Sequence, residues 1–144
     1  MFHWLLILGD RTRDRTRRKR ETATFASGRR GEDLAHRYLQ SHGYLVVARN
    51  FRTRTGSAEV DIVARKADAV VFVEVKSRES AEFGPPDRGI DREKQSRIMK
   101  AAAEYLRRAD LPDERARFDI INIILGGEIS LEHIQDAFYF PRAV

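Results

Sequence analysis

From Ser27 onward the apolar positions follow two alternating periods. Gly31, Leu34, Ala35, Tyr38 and Leu39 recur three and four residues apart, the spacing of one helix face, and Gly43 stands where such a helix would stop. This predicts a helix over Gly28 to His42. The pattern then changes to runs rich in β-branched and aromatic residues: Tyr44 to Ala48 with Asn50-Phe51, Ala58 to Arg65, and Ala69 to Ser77. Turn residues separate these runs, so they predict three strands. Phe83-Gly84-Pro85-Pro86-Asp87 can continue neither helix nor sheet and reads as a connecting loop. Ile98, Ala101, Ala102, Tyr105 and Leu106 predict a second helix over Asp91 to Arg108, with Asp91 as its N-cap and Leu111-Pro112-Asp113 ending it. Phe118 to Leu125 is apolar enough for an inner strand, and Gly126-Gly127 turns it into a shorter partner, Glu128 to Ile134. The order of helix, three strands, helix and two strands predicts an α/β fold, a mixed sheet with helices packed on it.

Residues 11 to 27 show almost no apolar periodicity, and such a segment cannot bury enough surface to offset the entropy of ordering. A boundary therefore falls near Ser27, with residues 1–27 a disordered basic arm and 28–144 one domain. With 144 residues, 42% of them hydrophobic, the chain can build one core. The apolar run Phe2 to Leu8 is too short for a membrane span, and the arginines that follow lie on the wrong side for a secretory signal. A cytoplasmic protein without a membrane partner is expected.

Charge changes the picture less than its total suggests. The net of +5 favours an acidic partner, nucleic acid ahead of a membrane surface. Yet residues 1 to 30 carry nine Lys/Arg against three Asp/Glu, which leaves the remainder at −1. The basicity belongs to the arm. Without cysteine there are no disulfides or thiolate metal sites, which fits a reducing compartment and restricts any metal to oxygen or imidazole ligands. The four histidines show no ligand spacing, and there is no glycine-rich phosphate loop.

The candidate chemistry lies in the central hairpin. If its strands join tightly at Ala67-Asp68, residues paired across it sum to 135, which places Asp61 opposite Glu74 and Glu59 opposite Lys76. Opposed carboxylates repel unless something positive lies between them, and a divalent cation suits two oxygen ligands. Lys76 shares a face with Glu74 and could orient a metal-bound water or stabilise charge on a phosphate. The same residues also suit a solvated strand face, with Glu59 and Lys76 as an ordinary cross-strand pair. Against that reading, Val63 and Phe72 share the face, and Val70 to Val75 reads as buried on both sides.

A wider set of residues carries a family resemblance: Gly31-Glu32, Gly43-Tyr44, Ala48 to Arg52, Glu59 to Ala64, Phe72 to Arg78, Lys94-Gln95 with Arg97-Ile98, and Arg117-Phe118-Asp119. Together they resemble the uncharacterised YraN-type family, which is similar to archaeal Holliday junction resolvases of the restriction-endonuclease-like superfamily. The resemblance spans roughly residues 28 to 140. It implies a restriction-endonuclease-like domain, with metal-binding acids at Asp61 and Glu74, the superfamily lysine at Lys76 and a helix-borne acid at Glu32. Ala58 departs from the glycine usual before Glu59.

Helical spacing places Glu32 at the border of the first helix's apolar stripe, where it could reach the sheet or simply face solvent near the helix N-terminus. Gln95 lies on the inward side of helix two and could contact phosphate or cap nearby backbone. Arg49, Arg52 and Arg54 flank Phe51 and suit either a phosphate backbone or a solvated strand edge. The resulting expectation is a Mg²⁺- or Mn²⁺-dependent endonuclease acting on DNA, with branched or recombination intermediates among its candidate substrates, as a homodimer presenting two sites. The rival is a non-catalytic nucleic-acid-binding or protein-interaction domain of the same fold.

Overall fold

The computed structural model describes residues 2–6, 23–80 and 89–141, with residues 2–6 and 23–27 described as backbone. Its elements are β1 (Phe2–Leu6), α1 (Ala23–Ser41), β2 (Leu45–Arg52), β3 (Glu59–Lys66), β4 (Ala69–Arg78), α2 (Arg92–Arg108), β5 (Ala116–Ile124) and β6 (Ser130–Phe138). One sheet takes the order β1-β6-β5-β4-β3-β2. The β4–β5 pair is parallel and the other pairs are antiparallel. A parallel pair needs a crossover connection, and α2 lies within it. This is the expected restriction-endonuclease-like α/β architecture, a mixed central sheet flanked by helices.

The two helical stripes explain the layering. Leu34, Ala35, Tyr38 and Leu39 of α1 pack with Ile62, Val71, Val73, Ile121 and Ile123 on one face of the sheet. Ile98, Ala101, Ala102 and Leu106 of α2 pack with Val63, Val70, Phe72, Phe118 and Phe138 on the other. Covered on both faces, Ile62 to Ala64 of β3 and Val70 to Val73 of β4 read as continuous apolar runs. Phe72, Phe118 and Phe138 form a stack with centroid separations of 5.6 and 4.8 Å. Each such buried ring contributes roughly 1.5–3 kcal/mol.

Several boundaries differ from expectation. Helix α1 begins at Ala23 rather than Gly28, because the apolar stripe opens only at Gly31 and gives no signal for the turns before it. The first strand runs unbroken from Leu45 to Arg52, with a register shift between Val46 and Ala48 and a left-handed Asn50 at φ 50°. Strand β6 has nine residues, as many as β5, rather than being the shorter partner. Its extension through Gln135-Asp136 is masked in the sequence by polarity, and Asp136 has φ 52° near the register shift opposite Phe118 and Ile120. Phe2–Leu6 pairs with β6 as an edge strand, so that part of the arm is ordered backbone. Residues 7–22 of the expected arm and the expected loop at Phe83 to Asp87 lie outside the described residues.

Asp91 caps α2 as expected, its carboxylate accepting from the Lys94 N–H at 2.8 Å. At the other end Asp110 adopts φ 56°, and Leu111 N–H donates to the Leu106 carbonyl at 2.9 Å, a left-handed helix stop of the kind glycine usually provides.

Two close approaches fix the end of β4. A Cβ at Gly31 would lie 2.6 Å from the Ser77 Cβ, so α1 rests directly on that strand. A Cβ at Gly126 would lie 1.9 Å from the Glu79 carbonyl oxygen, and Leu125 N–H donates to the Arg78 carbonyl at 2.7 Å. Helix α1 and the β5–β6 turn thus both press on the chain just beyond Lys76.

On the α1 face a buried polar network binds the elements together. Asp119, fully buried, accepts from Arg117 at 2.7 and 2.9 Å, from His133 Nε2 at 2.7 Å and from the Asp136 N–H at 3.2 Å. His133 Nδ1 meets the Tyr38 hydroxyl at 3.0 Å, and Arg117 donates to the Tyr44 hydroxyl at 2.6 Å. Burial alone would raise the Asp119 carboxyl, but the hydrogen bonds from His133 and Arg117 hold it below the ordinary range. Asp119→Ala leaves Arg117 and His133 without their acceptor, and a loss of about 3–5 kcal/mol is expected from urea unfolding. A loss below about 1 kcal/mol, the scale of an exposed ion pair, would show that the network does not anchor the fold.

Candidate metal and nucleic-acid site

The hairpin has the anticipated register up to a point. Lys66 pairs with Ala69, Arg65 with Val70, Ala64 with Val71, Val63 with Phe72 and Ile62 with Val73, all summing to 135. The turn is tight, with Ala67 at φ 51°. Beyond Ile62 and Val73 the ladder stops. Strand β3 continues against β2, pairing Glu59 with Arg52, and β4 continues against β5 as far as Arg78. The expected Glu59–Lys76 pair therefore does not form. Glu59 instead accepts from Arg52 Nε at 2.8 Å, because β3 leaves β4 before reaching Lys76.

Asp61 stands in the opening. Its Oδ2 accepts from the Val75 backbone N–H at 2.8 Å, taking the place of a strand-to-strand bond. Glu74 is adjacent and 5% exposed. Burial first, and then the negative charge of Glu74, push the Asp61 carboxyl up to about 7, although the Val75 N–H and the Lys94 ammonium oppose the rise. The two acids predicted to face each other are thus brought together in a partly dehydrated setting.

Glu32 approaches the opening from α1. It accepts from Arg49 and from Asn50, each at 3.2 Å. Burial, then the charge of Asp61, raise its carboxyl above the ordinary range, while Arg49 and Asn50 act against the rise. Arg49 also donates to Asp33 at 2.7 Å. Its guanidinium is engaged with two acids of α1, so it holds Glu32 in place instead of lying open on the strand edge. Among the described residues no three acidic or histidine side chains form a ready-made metal cluster. The close carboxylates number two, with Glu32 near them and tied to Arg49 and Asn50.

On the α2 side the carboxylates open into a pocket of about 240 Å³, whose walls include Gly56, Ser57, Lys94, Arg97 and Ile98. The β2–β3 loop forming one wall is held to α2 by Arg54 N–H donating to Glu104 at 2.9 Å and Lys100 donating to Ser57 at 2.9 Å. Lys76 Nζ donates to the Gly89 carbonyl at 2.7 Å. It is in register with Asn122, which donates to the buried Glu132 at 3.4 Å, so a polar row crosses the sheet beside the acids. Gln95 Nε2 donates to the Ile90 carbonyl at 2.7 Å and steadies the entry to α2. Arg52 is mostly exposed beside Glu59.

Sequence reasoning missed Lys94 as a partner of the acids. Its ammonium lies 2.5 Å from Glu74 Oε1. The available signal was a charged residue four positions before Ile98, on the inward stripe of α2, where burial would demand an acidic partner.

The raised Asp61 carboxyl has a consequence for stability. Between the ordinary carboxylate range and about pH 7 the native state holds a proton that the unfolded chain has released, so metal-free stability falls as pH rises across that window. Asp61→Asn keeps an acceptor for Val75 and removes the charge. The variant is expected to melt several degrees above the parent at pH 8, by about 2 kcal/mol or more, and to match it near pH 4. Parallel melting curves across this range would contradict the assignment.

Comparison with known proteins sets this geometry in a family. The model of the uncharacterised protein family UPF0102 matches residues 31–123, a span that contains Glu32, Asp61, Glu74, Lys76 and Lys94. A UPF0102 protein of Solibacter usitatus is 48% identical over 128 residues, covering 89% of this chain and 96% of the relative. One from Geobacter metallireducens is 46% identical over 112 residues (77% and 90%), and one from Rhodococcus opacus 43% over 115 residues (78% and 96%). The motif set from Gly31 to Asp119 and these near full-length matches lead to one assignment: the chain belongs to the uncharacterised protein family UPF0102.

Proposed function

We propose that the protein is a Mg²⁺- or Mn²⁺-dependent endonuclease that hydrolyses phosphodiester bonds in DNA. The observation that carries this reading is the pairing of buried Glu74 with half-buried Asp61 at the point where β3 parts from β4, with Lys76 two residues further along the same strand. Two acids held together in a partly dehydrated setting are costly unless a cation joins them. Their oxygens suit a hard divalent ion, which commonly takes one or two carboxylates and completes its shell with water and phosphate oxygens.

Asp61 and Glu74 are the ligands in this reading, and Glu32 is a third carboxylate beside them. A bound ion supplies Lewis acidity toward the scissile phosphate and a water of lowered pKa. The chain's own groups do the rest. The Val75 N–H orients Asp61, Arg49 and Asn50 orient Glu32, and Lys76 offers an ammonium to charge developing on the phosphate. In this reading Arg97 on the pocket wall and the mostly exposed Arg52 on the strand edge contact backbone phosphates. Gln95 supports the helix that carries this wall. The similarity of the YraN-type family, which the motif set resembles, to Holliday junction resolvases favours branched or recombination intermediates in this reading, cut by a symmetric homodimer with one site per strand.

The rival reading, a binding domain without turnover, draws support from Lys94, which already neutralises Glu74. Supercoiled, linear, single-stranded and four-way-junction DNA incubated with the full chain and Mg²⁺ or Mn²⁺ separates the two. Metal-dependent nicking is expected, reduced about 100-fold or more in Asp61→Ala and Lys76→Ala. Binding without cleavage of any substrate would favour the rival, and cleavage surviving both substitutions would remove these residues from the site.

A further inference from the structure

The Asp61–Glu74 pair already has a cation, and it comes from α2. Lys94 Nζ lies 2.5 Å from Glu74 Oε1, and its charge also acts on Asp61. The two side chains differ sharply in exposure: 6% for Glu74 and 46% for Lys94. The acid is fixed in the sheet, whereas the ammonium enters from the pocket side on a long, flexible stem. Only that stem needs to move for the contact to break, because the Lys94 backbone is held independently through its N–H to Asp91.

We propose that Lys94 is the resident counter-ion of the Asp61–Glu74 pair, a tethered cation that a divalent metal must displace before the site is loaded. The inference rests on the metal-binding reading of that pair. A dication placed between the two carboxylates competes with Lys94 for the charge of Glu74, and it repels the ammonium at contact distance. The exchange is a swap of cations. In the metal-free protein Lys94 offsets the repulsion between the two acids; in the loaded protein it is released toward the pocket wall shared with Arg97 and Glu59. There a phosphodiester of the substrate would be a further anion within its reach. Metal entry is thereby made weaker in the resting protein, and the freed charge becomes available to nucleic acid only after loading.

Mn²⁺ binding to the full chain without nucleic acid, followed by the electron paramagnetic resonance signal of free Mn²⁺, reads the competition directly. Lys94→Met is expected to bind Mn²⁺ about tenfold more tightly than the parent, because the competing charge is gone. Lys94→Arg should stay close to the parent, and Asp61→Asn should lose binding. Binding by Lys94→Met with none by the parent would support the proposal equally. If the parent binds Mn²⁺ and Lys94→Met binds it no more tightly, Lys94 is not a competing counter-ion, although the metal site stands. If neither parent nor Lys94→Met binds Mn²⁺, the metal reading fails and this inference with it. Should Lys94→Met not fold, the parent protein supplies the test: the Lys94 side-chain resonances should shift as Mg²⁺ is added, and their failure to move at saturation would overturn the proposal.

Discussion

The Asp61 carboxylate accepting the Val75 N–H at 2.8 Å is the contact on which the site depends. A sheet interior leaves no backbone donor unsatisfied without cost. Where β3 turns away toward β2, the N–H groups of β4 lose their antiparallel partner, and an acidic side chain fills the vacancy. This allows the sheet to open while β4 stays paired with β5 on its other edge through Arg78. Because the substitute is an acidic side chain, the opening gathers carboxyl groups from the start. Glu74, the residue before Val75, is thereby held beside Asp61.

Charge balance around this opening then organises both helices. Lys94 reaches Glu74 from α2, and Arg49 joins Glu32 and Asp33 of α1 to the edge strand β2. The acids come from opposite faces of the sheet and sense one another: the charge of Asp61 raises the carboxyl of Glu32. A closed sheet would have screened them from each other. The cations are also unequal in mobility. Arg49 is bonded to two acids at once, whereas Lys94 is half-exposed on a helix face. One is suited to positioning and the other to exchange.

The α1 face of the domain is built for rigidity. Asp119, His133, Arg117, Tyr38 and Tyr44 form a closed set of hydrogen bonds across α1, β5, β6 and the entry to β2. Burial, with Tyr44 and Asp119 nearby, pushes the Tyr38 hydroxyl up to about 12, so it stays neutral in the network. Together with the close packing of Gly31 on Ser77 and of Gly126 on the Glu79 backbone, this fixes where α1 and the end of β4 lie. The acidic opening can therefore hold repelling charges without the fold loosening around them. That division fits the proposed exchange of one cation for another, which needs walls that do not follow.

Much of this was legible in the chain itself. Helical and strand periods, the Asp91 cap and the tight Ala67-Asp68 turn act over a few residues, so they determined the element order, the hairpin register and the nearness of Asp61 to Glu74. The resemblance carried by Gly31-Glu32, the hairpin and Arg117 to Asp119 agrees with membership in UPF0102. Other features had no local signature. Where β3 leaves β4 depends on competition between β2 and β5 for the two strands, and that competition displaced the simple Glu59–Lys76 pair. Which cation meets which acid depends on the packing of elements far apart in sequence, so Lys94 rather than Lys76 sits on Glu74 and Arg49 serves Glu32. Periodicity assigns a charge to a face, but only the assembled tertiary structure decides its partner, because an ion pair forms between neighbours in space and the fold chooses those neighbours.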